Sequence, residues 1–243
     1  MSILKTKNVA IIGASGAIGK ALVESLSQNS VTENIFAFSR KKVFFNSKKV
    51  QTHFIDFVDE DSISRASSCI PKLIGLDLMI VATGILHDVN LFPEKSLKDL
   101  STEKFQKLFL INTIGPALVA KHFLPLLRRE TRAISATLSA RVGSVSDNQL
   151  GGWYAYRSSK AALNIIIKNS AIETSRRNNN SIVVGMHPGT VASDLSKPFQ
   201  KGVPPGKLFT PELAASKLLK VISTLRAKDT GKCFAWDGKE ILP

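Results

Sequence analysis

Short apolar runs alternate with amphipathic stretches along the whole chain. The runs at 8–12, 34–39, 50–55, 76–82, 131–138, 181–186 and 232–236 are strand-sized and rich in β-branched and aromatic residues. Between them, 17–29, 60–69, 102–128, 153–178 and 211–227 repeat apolar positions at helical spacing. Strict alternation of the two patterns predicts an α/β fold: one domain over 1–243, a doubly wound, Rossmann-like parallel sheet with helices on both faces. Gly115-Pro116 predicts a bend inside the long helical segment, because proline lacks the N–H that the preceding turn needs. Asn178-Asn-Asn-Ser181 is a polar stop ahead of the next strand. Residues 187–210 carry four prolines, three glycines and little periodicity. A loop of that length in a compact domain suggests a lid over a site, placed here at 190–210.

Composition narrows the class. The chain has 243 residues, 44% hydrophobic and 21% charged, as in a water-soluble globular protein. No apolar run reads as a membrane span, and residues 1–8 hold no signal-peptide core, so a cytoplasmic chain with no membrane partner is expected. Cys69 and Cys233 form no C-x-x-C pair and read as reduced thiols. The four histidines (53, 87, 122, 187) show no metal-ligand spacing, so no metal is assigned. The net charge of +14 raises nucleic acid as a partner. The cations are scattered as Arg40-Lys41-Lys42, Lys48-Lys49, Arg128-Arg129 and Arg176-Arg177, without interleaved aromatics, and read instead as a solvated basic surface attractive to phosphorylated small molecules.

The candidate chemistry sits where strands end. The run 9–12 feeds Gly13-Ala-Ser15-Gly16-Ala-Ile18-Gly19 and then a helix. In that order the glycines permit a tight turn, close approach to a pyrophosphate and close helix–strand packing, and the helix N-terminus faces the phosphates. The second strand ends at Ser39-Arg40, with no acid to hold a ribose 2′-hydroxyl and an arginine able to pair a 2′-phosphate. Asp56-Phe57 follow the third strand, Ala82-Thr83-Gly84 the fourth, and Pro188-Gly189-Thr190-Val191 the sixth. Tyr156 and Lys160, four residues apart, share one helix face. An ammonium beside a phenol favours the phenolate, so this spacing predicts a lowered Tyr156 pKa and a group able to exchange protons near neutrality.

These motifs, in this order and over nearly the whole length, resemble those of short-chain dehydrogenases/reductases. Gly151-Gly152-Trp-Tyr-Ala-Tyr156-Arg-Ser-Ser-Lys160 is similar to the sniffer-like carbonyl reductases, and His187-Pro-Gly-Thr with Trp236-Asp-Gly-Lys-Glu-Ile is similar to the C-factor branch. The resemblance implies NADP(H), in preference to NAD(H), bound over the sheet with its nicotinamide near Pro188, Gly189, Val191 and Ser193. It also implies Tyr156 as proton donor, Lys160 on the ribose, and Asn112 holding a water linked to Lys160. A small carbonyl or alcohol substrate and a homodimer or homotetramer through 102–128 and 153–178 follow from the same resemblance. The alternative it carries is a dinucleotide-binding signalling protein with little turnover.

Two departures stand out. The glycine order permutes the common reductase spacing. The fifth strand ends in Ser139-Ala140 where the family usually has two serines, the second bonding the substrate carbonyl. Ser139 and Ser144 are both candidates to replace it, with Ser144, twelve residues before Tyr156, placed ahead. The substrate pocket is expected from 85–95, 141–153 and 190–208.

Overall fold

A computed structural model describes residues 5–243; the expectation of no signal-peptide core in 1–8 falls in part outside the described residues. The strands are β1 (Asn8–Ile12), β2 (Asn34–Ser39), β3 (Val50–Phe54), β4 (Leu78–Val81), β5 (Ala133–Leu138), β6 (Ser181–His187), β7 (Thr190–Val191), β8 (Leu208–Phe209), β9 (Cys233–Ala235) and β10 (Glu240–Ile241). The α-helices are α1 (Ala17–Ser27), α2 (Glu60–Ser68), α3 (Thr102–Phe109), α4 (Gly115–Phe123), α5 (Tyr154–Ser175) and α6 (Pro211–Thr224).

Eight strands form one sheet in the order β10-β9-β6-β5-β4-β1-β2-β3. All neighbours are parallel except β10, which pairs antiparallel with β9, so the expected all-parallel sheet ends in an antiparallel edge. The strand order reverses direction between β1 and β4, the position at which ligands enter open α/β sheets. Central strands are buried along their full length, which is why they read as unbroken apolar runs. Alternate residues feed opposite faces. Val9 and Ile11 of β1 pack with α1 and α6, whereas Ala10 and Ile12 pack with α2 and α4. Leu163, Ile167 and Ala171 press α5 onto Val183 of β6.

The segment anticipated as one bent helix is four pieces, the last a 3-10 turn, Leu124–Leu126. α3 passes into a π-helical turn, Leu110–Ile114, before α4 begins with Pro116 in its first turn. The run Thr102–Leu126 is long and apolar enough, by length and composition, to cross a membrane. In this fold its apolar residues Leu108, Val119 and Phe123 are buried inside the domain. The region 190–210 is not bare loop: β7 and β8 pair as a two-stranded ribbon around a 3-10 turn, Lys197–Gly202.

Candidate active site

The glycine turn after β1 is fixed by crowding. Gly13 takes φ +95, and a Cβ there would lie 2.9 Å from the Ala82 backbone. A Cβ on Gly19 would come within 2.1 Å of the Gly13 carbonyl oxygen, so that glycine lets α1 pack on the turn and does not itself line the groove. The N–H groups of Gly13 and Ala14 both donate to the Phe38 carbonyl, tying the turn to β2. Gly16 caps α1 with no side chain to bond its first N–H groups, and the first turn holds no acid, leaving its N-terminal partial positive charge uncompensated.

Two recesses meet over the carboxyl ends of the strands and share Ala82, Thr83 and Gly84 as common wall. One, about 200 Å³, is lined by Gly13, Ser15, Gly16, Ser39, Arg40, Lys41, Asp56 and Phe57. Asp56 is its only carboxylate. The other, about 310 Å³, holds Ile18, Ser139, Tyr156, Lys160, Pro188, Gly189, Val191 and Ser193. The Thr83 hydroxyl at their junction is buried without a hydrogen-bond partner. A buried orphan of that kind in the wall of a cleft fits a ligand, or a water, that supplies the missing bond. The capless helix, the backbone cradle and the orphaned hydroxyl fit an extended molecule that is anionic near α1.

Asn112 sits in the π turn, fully buried behind the groove. It accepts from Ile85 N (2.8 Å) and donates to Ile85 O (2.9 Å) and Ser159 Oγ (3.1 Å). The Cβ direction of Gly84 points within 3.4 Å of Asn112 Oδ1 and 3.5 Å of Lys160 Nζ, so both groups flank the same glycine. Asn112 therefore fixes the strand end and stands next to Lys160 without lining the cleft.

Tyr156 and Lys160 are buried on one face of α5. The Lys160 ammonium donates to Leu138 O at 2.9 Å. Burial holds the Lys160 pKa down at about 8 and pushes the Tyr156 phenol up to about 12. The lowered phenol pKa expected from their spacing is thus corrected: in the protein alone, loss of hydration outweighs the nearby cation. The structure places the two candidate serines differently. Ser139 lines the cleft and donates to Asn164 Oδ1 at 2.6 Å. Ser144 lies outside it, its hydroxyl accepting from Asp147 N at 3.1 Å and paired with Ser146 at 3.3 Å. Turn geometry uses up that hydroxyl.

The three loop regions do supply walls: Leu86 from the first, Arg141, Val142 and Trp153 from the second, Leu195, Phe199 and Val203 from the third. Three features escaped the sequence reading. His187, noted there only among the histidines and as part of a motif, lines the cleft with Nδ1 unpartnered, and burial lowers its pKa to about 4. Trp153 enters α5 at φ +50, the only non-glycine residue with positive φ among those described, and donates its N–H to Glu94 O at 2.6 Å. His87 Nε2 stands 3.1 Å from both the Asp194 and Leu195 carbonyls and so fastens the 190–210 segment. Adjacency of His187 to Pro188-Gly189 and of Trp153 to Gly151-Gly152 was the available signal.

Known proteins resemble this chain in sequence and in fold. The family model described as short chain dehydrogenase matches residues 7–203. An uncharacterized oxidoreductase of Schizosaccharomyces pombe is 28% identical over 96% of each chain. The C-signal protein of Myxococcus xanthus is 34% identical over 60% of this chain and 82% of its own length. Among solved structures, the NADPH-bound carbonyl reductase from chicken fatty liver superposes with a TM-score of 0.84 at 23% identity, covering 99% of this chain and 95% of that one. The carbonyl reductase Sniffer of Drosophila melanogaster gives 0.84 at 21%, covering 99% and 100%. With a glycine turn, a buried Tyr156/Lys160 pair and a family match over most of its length, this chain belongs to the short-chain dehydrogenase family of oxidoreductases.

Proposed function

We propose that the protein is an NADP(H)-dependent carbonyl reductase acting on a small aldehyde or ketone. The observation that carries this reading is that Tyr156 and Lys160 line the recess that joins, through Thr83 and Gly84, the one built on the glycine turn. On this reading Gly13, Ser15, Gly16 and the start of α1 would hold the pyrophosphate, and Asp56 and Phe57 the adenine end, while Pro188, Gly189, Val191 and Ser193 of the adjoining recess would hold the nicotinamide end. The reduced dinucleotide, when bound, supplies the hydride.

The chain's own residues handle the proton. A phenol with a pKa of about 12 is protonated at neutral pH and can give its proton to the oxygen of a carbonyl being reduced. Lys160, at about 8, is still a cation at neutral pH and stabilises the phenolate that results. Leu86, Val142, Trp153, Leu195, Phe199 and Val203 shield the reacting group from water. Arg40 and Lys41, exposed beside the first recess, support a 2′-phosphate and hence NADP(H). A binding-only signalling role finds no support in a cleft that keeps a buried phenol and amine together. Exposed Ile114, Ile165 and Ile172 on the outer side of the π turn and α5 support self-association through those helices.

The test is NADPH and NADH oxidation across a panel of aldehydes and ketones, with the wild type and Arg40→Asp. Wild type should favour NADPH by about tenfold or more in kcat/KM, and Arg40→Asp should erase most of that margin. Equal use of both cofactors by wild type, or an unchanged ratio in the variant, contradicts the cofactor assignment; no turnover of any carbonyl contradicts the activity.

A further inference from the structure

α5 presents three polar residues at four-residue intervals, Tyr156, Lys160 and Asn164, and the end of β5 meets all three. Lys160 Nζ donates to Leu138 O at 2.9 Å. The Ser139 hydroxyl donates to Asn164 Oδ1 at 2.6 Å. Ala140 packs in the same apolar cluster as Tyr156. Asn164 Nδ2 reaches toward Gly143 O at 3.5 Å, a long and weak contact. Gly143 itself presses on α5, since a Cβ there would lie 2.8 Å from the Lys160 backbone. Asn164 is half-buried and does not line the cleft, whereas Ser139 is buried and does.

We propose that Asn164 is a positioning residue for Ser139, and that this pair is the carbonyl-polarising device of the site in place of the hydroxyl missing at Ala140. The inference rests on the carbonyl-reductase reading and extends it. The chemistry turns on which way the Asn164 amide faces. With Oδ1 toward Ser139, the serine proton is committed to Asn164 and only its lone pairs face the cleft. Turned by half a rotation, Nδ2 donates to the Ser139 oxygen, and the serine O–H is released to donate to a substrate carbonyl. The turn exchanges the Ser139 O–H···Oδ1 bond for one donated by Nδ2, and gives up the weak Nδ2 contact to Gly143 O, which Oδ1 then faces. A hydroxyl accepting one hydrogen bond is a stronger donor in the next, so the relay sharpens the pull on the carbonyl oxygen while Tyr156 delivers the proton. An asparagine can serve in both orientations. An aspartate in its place only accepts and would keep the serine proton committed.

The experiment is a double-mutant cycle on NADPH oxidation with 4-nitrobenzaldehyde as reference within an aldehyde and ketone panel. It uses wild type, Ser139→Ala, Asn164→Ala and the double variant, with Asn164→Asp as the near-isosteric control. Ser139→Ala should lose about 100-fold in kcat, the scale of removing one donor to a developing oxyanion. Asn164→Ala and Asn164→Asp should lose about tenfold or more with unchanged NADPH affinity and thermal midpoint, and in the Ser139→Ala background Asn164→Ala should cost nothing further. Losses that multiply in the double variant, or Asn164 variants as fast as wild type, overturn the proposal. So does full activity in Ser139→Ala while Tyr156→Phe is inactive, an outcome that leaves the reductase reading standing. If wild type and Tyr156→Phe both fail on the whole panel, the reading beneath the proposal falls and the proposal with it.

Discussion

Tyr156 and Lys160 lose water together, and the same desolvation moves their pKa values in opposite directions: the phenol up to about 12, the ammonium down to about 8. That separation favours a protonated acid beside a cation at neutral pH, which suits reduction. The expected outcome is that carbonyl reduction declines as pH rises through about 8, where Lys160 loses its charge, while the reverse alcohol oxidation climbs. A pH–rate profile in both directions checks this; a reduction rate still rising above that point would contradict it. The i, i+4 spacing made the pair legible in the sequence, but not the direction of the phenol shift, because burial of a side chain is a property of the packed cleft. The serine question has the same origin. Counting residues back from Tyr156 pointed to Ser144, yet the short 3-10 turn Arg141–Gly143 carries that serine out of the cleft and leaves Ser139 in it.

Among the elements, the strands and helices were legible because their apolar periods are long enough to read. β7, β8 and β10 have two residues each and carry no period, so they were not. Their placement depends on side-chain contacts across distant segments. His87 is the clearest case. Its ring reaches two carbonyls of the 190–210 segment, stacks near Phe92 (6.5 Å) and meets Phe199 edge-on (5.6 Å). Phe199 in turn contacts Trp153 at 5.0 Å, and Trp153 meets Tyr156 at 6.2 Å. Loss of the His87 clasp should free the segment while the sheet stays intact. In His87→Ala, trypsin should cut at Lys201 or Lys207 about tenfold faster than in wild type, with little change in the global unfolding midpoint. Equal cleavage rates would show that the segment is held by other contacts. The π turn at 110–114 was foreseen only as a bend at Gly115-Pro116. Proline explains the broken backbone register there, and the Asn112 amide holding Ile85 on both sides fixes where the turn falls.

For the whole molecule, the net charge of +14 is spread over the surface, so it acts on solubility and on the approach of anionic ligands more than on the fold. A half-buried histidine held neutral couples the cleft to global stability. The His187 pKa is about 4 folded against 6.5 for the free side chain, so the unfolded chain binds more protons between those values. Stability from this residue is therefore complete above pH 6.5 and is lost as pH falls toward 4. Since the ring is only partly exposed, the loss should be on the order of 2 kcal/mol, and His187→Gln should remove it from the difference between denaturation midpoints at neutral and mildly acidic pH. Unchanged acid sensitivity in that variant would assign the effect to other groups.

The central claim is that the Tyr156 phenol delivers the proton in a dinucleotide-dependent reduction. The direct test is NADPH oxidation by wild type and Tyr156→Phe on the same carbonyl panel, with NADPH binding followed by nicotinamide fluorescence. The account predicts equal NADPH binding and a loss of about 100-fold or more in kcat for the phenylalanine variant, in line with removal of a general acid. Equal turnover by the two proteins would contradict it.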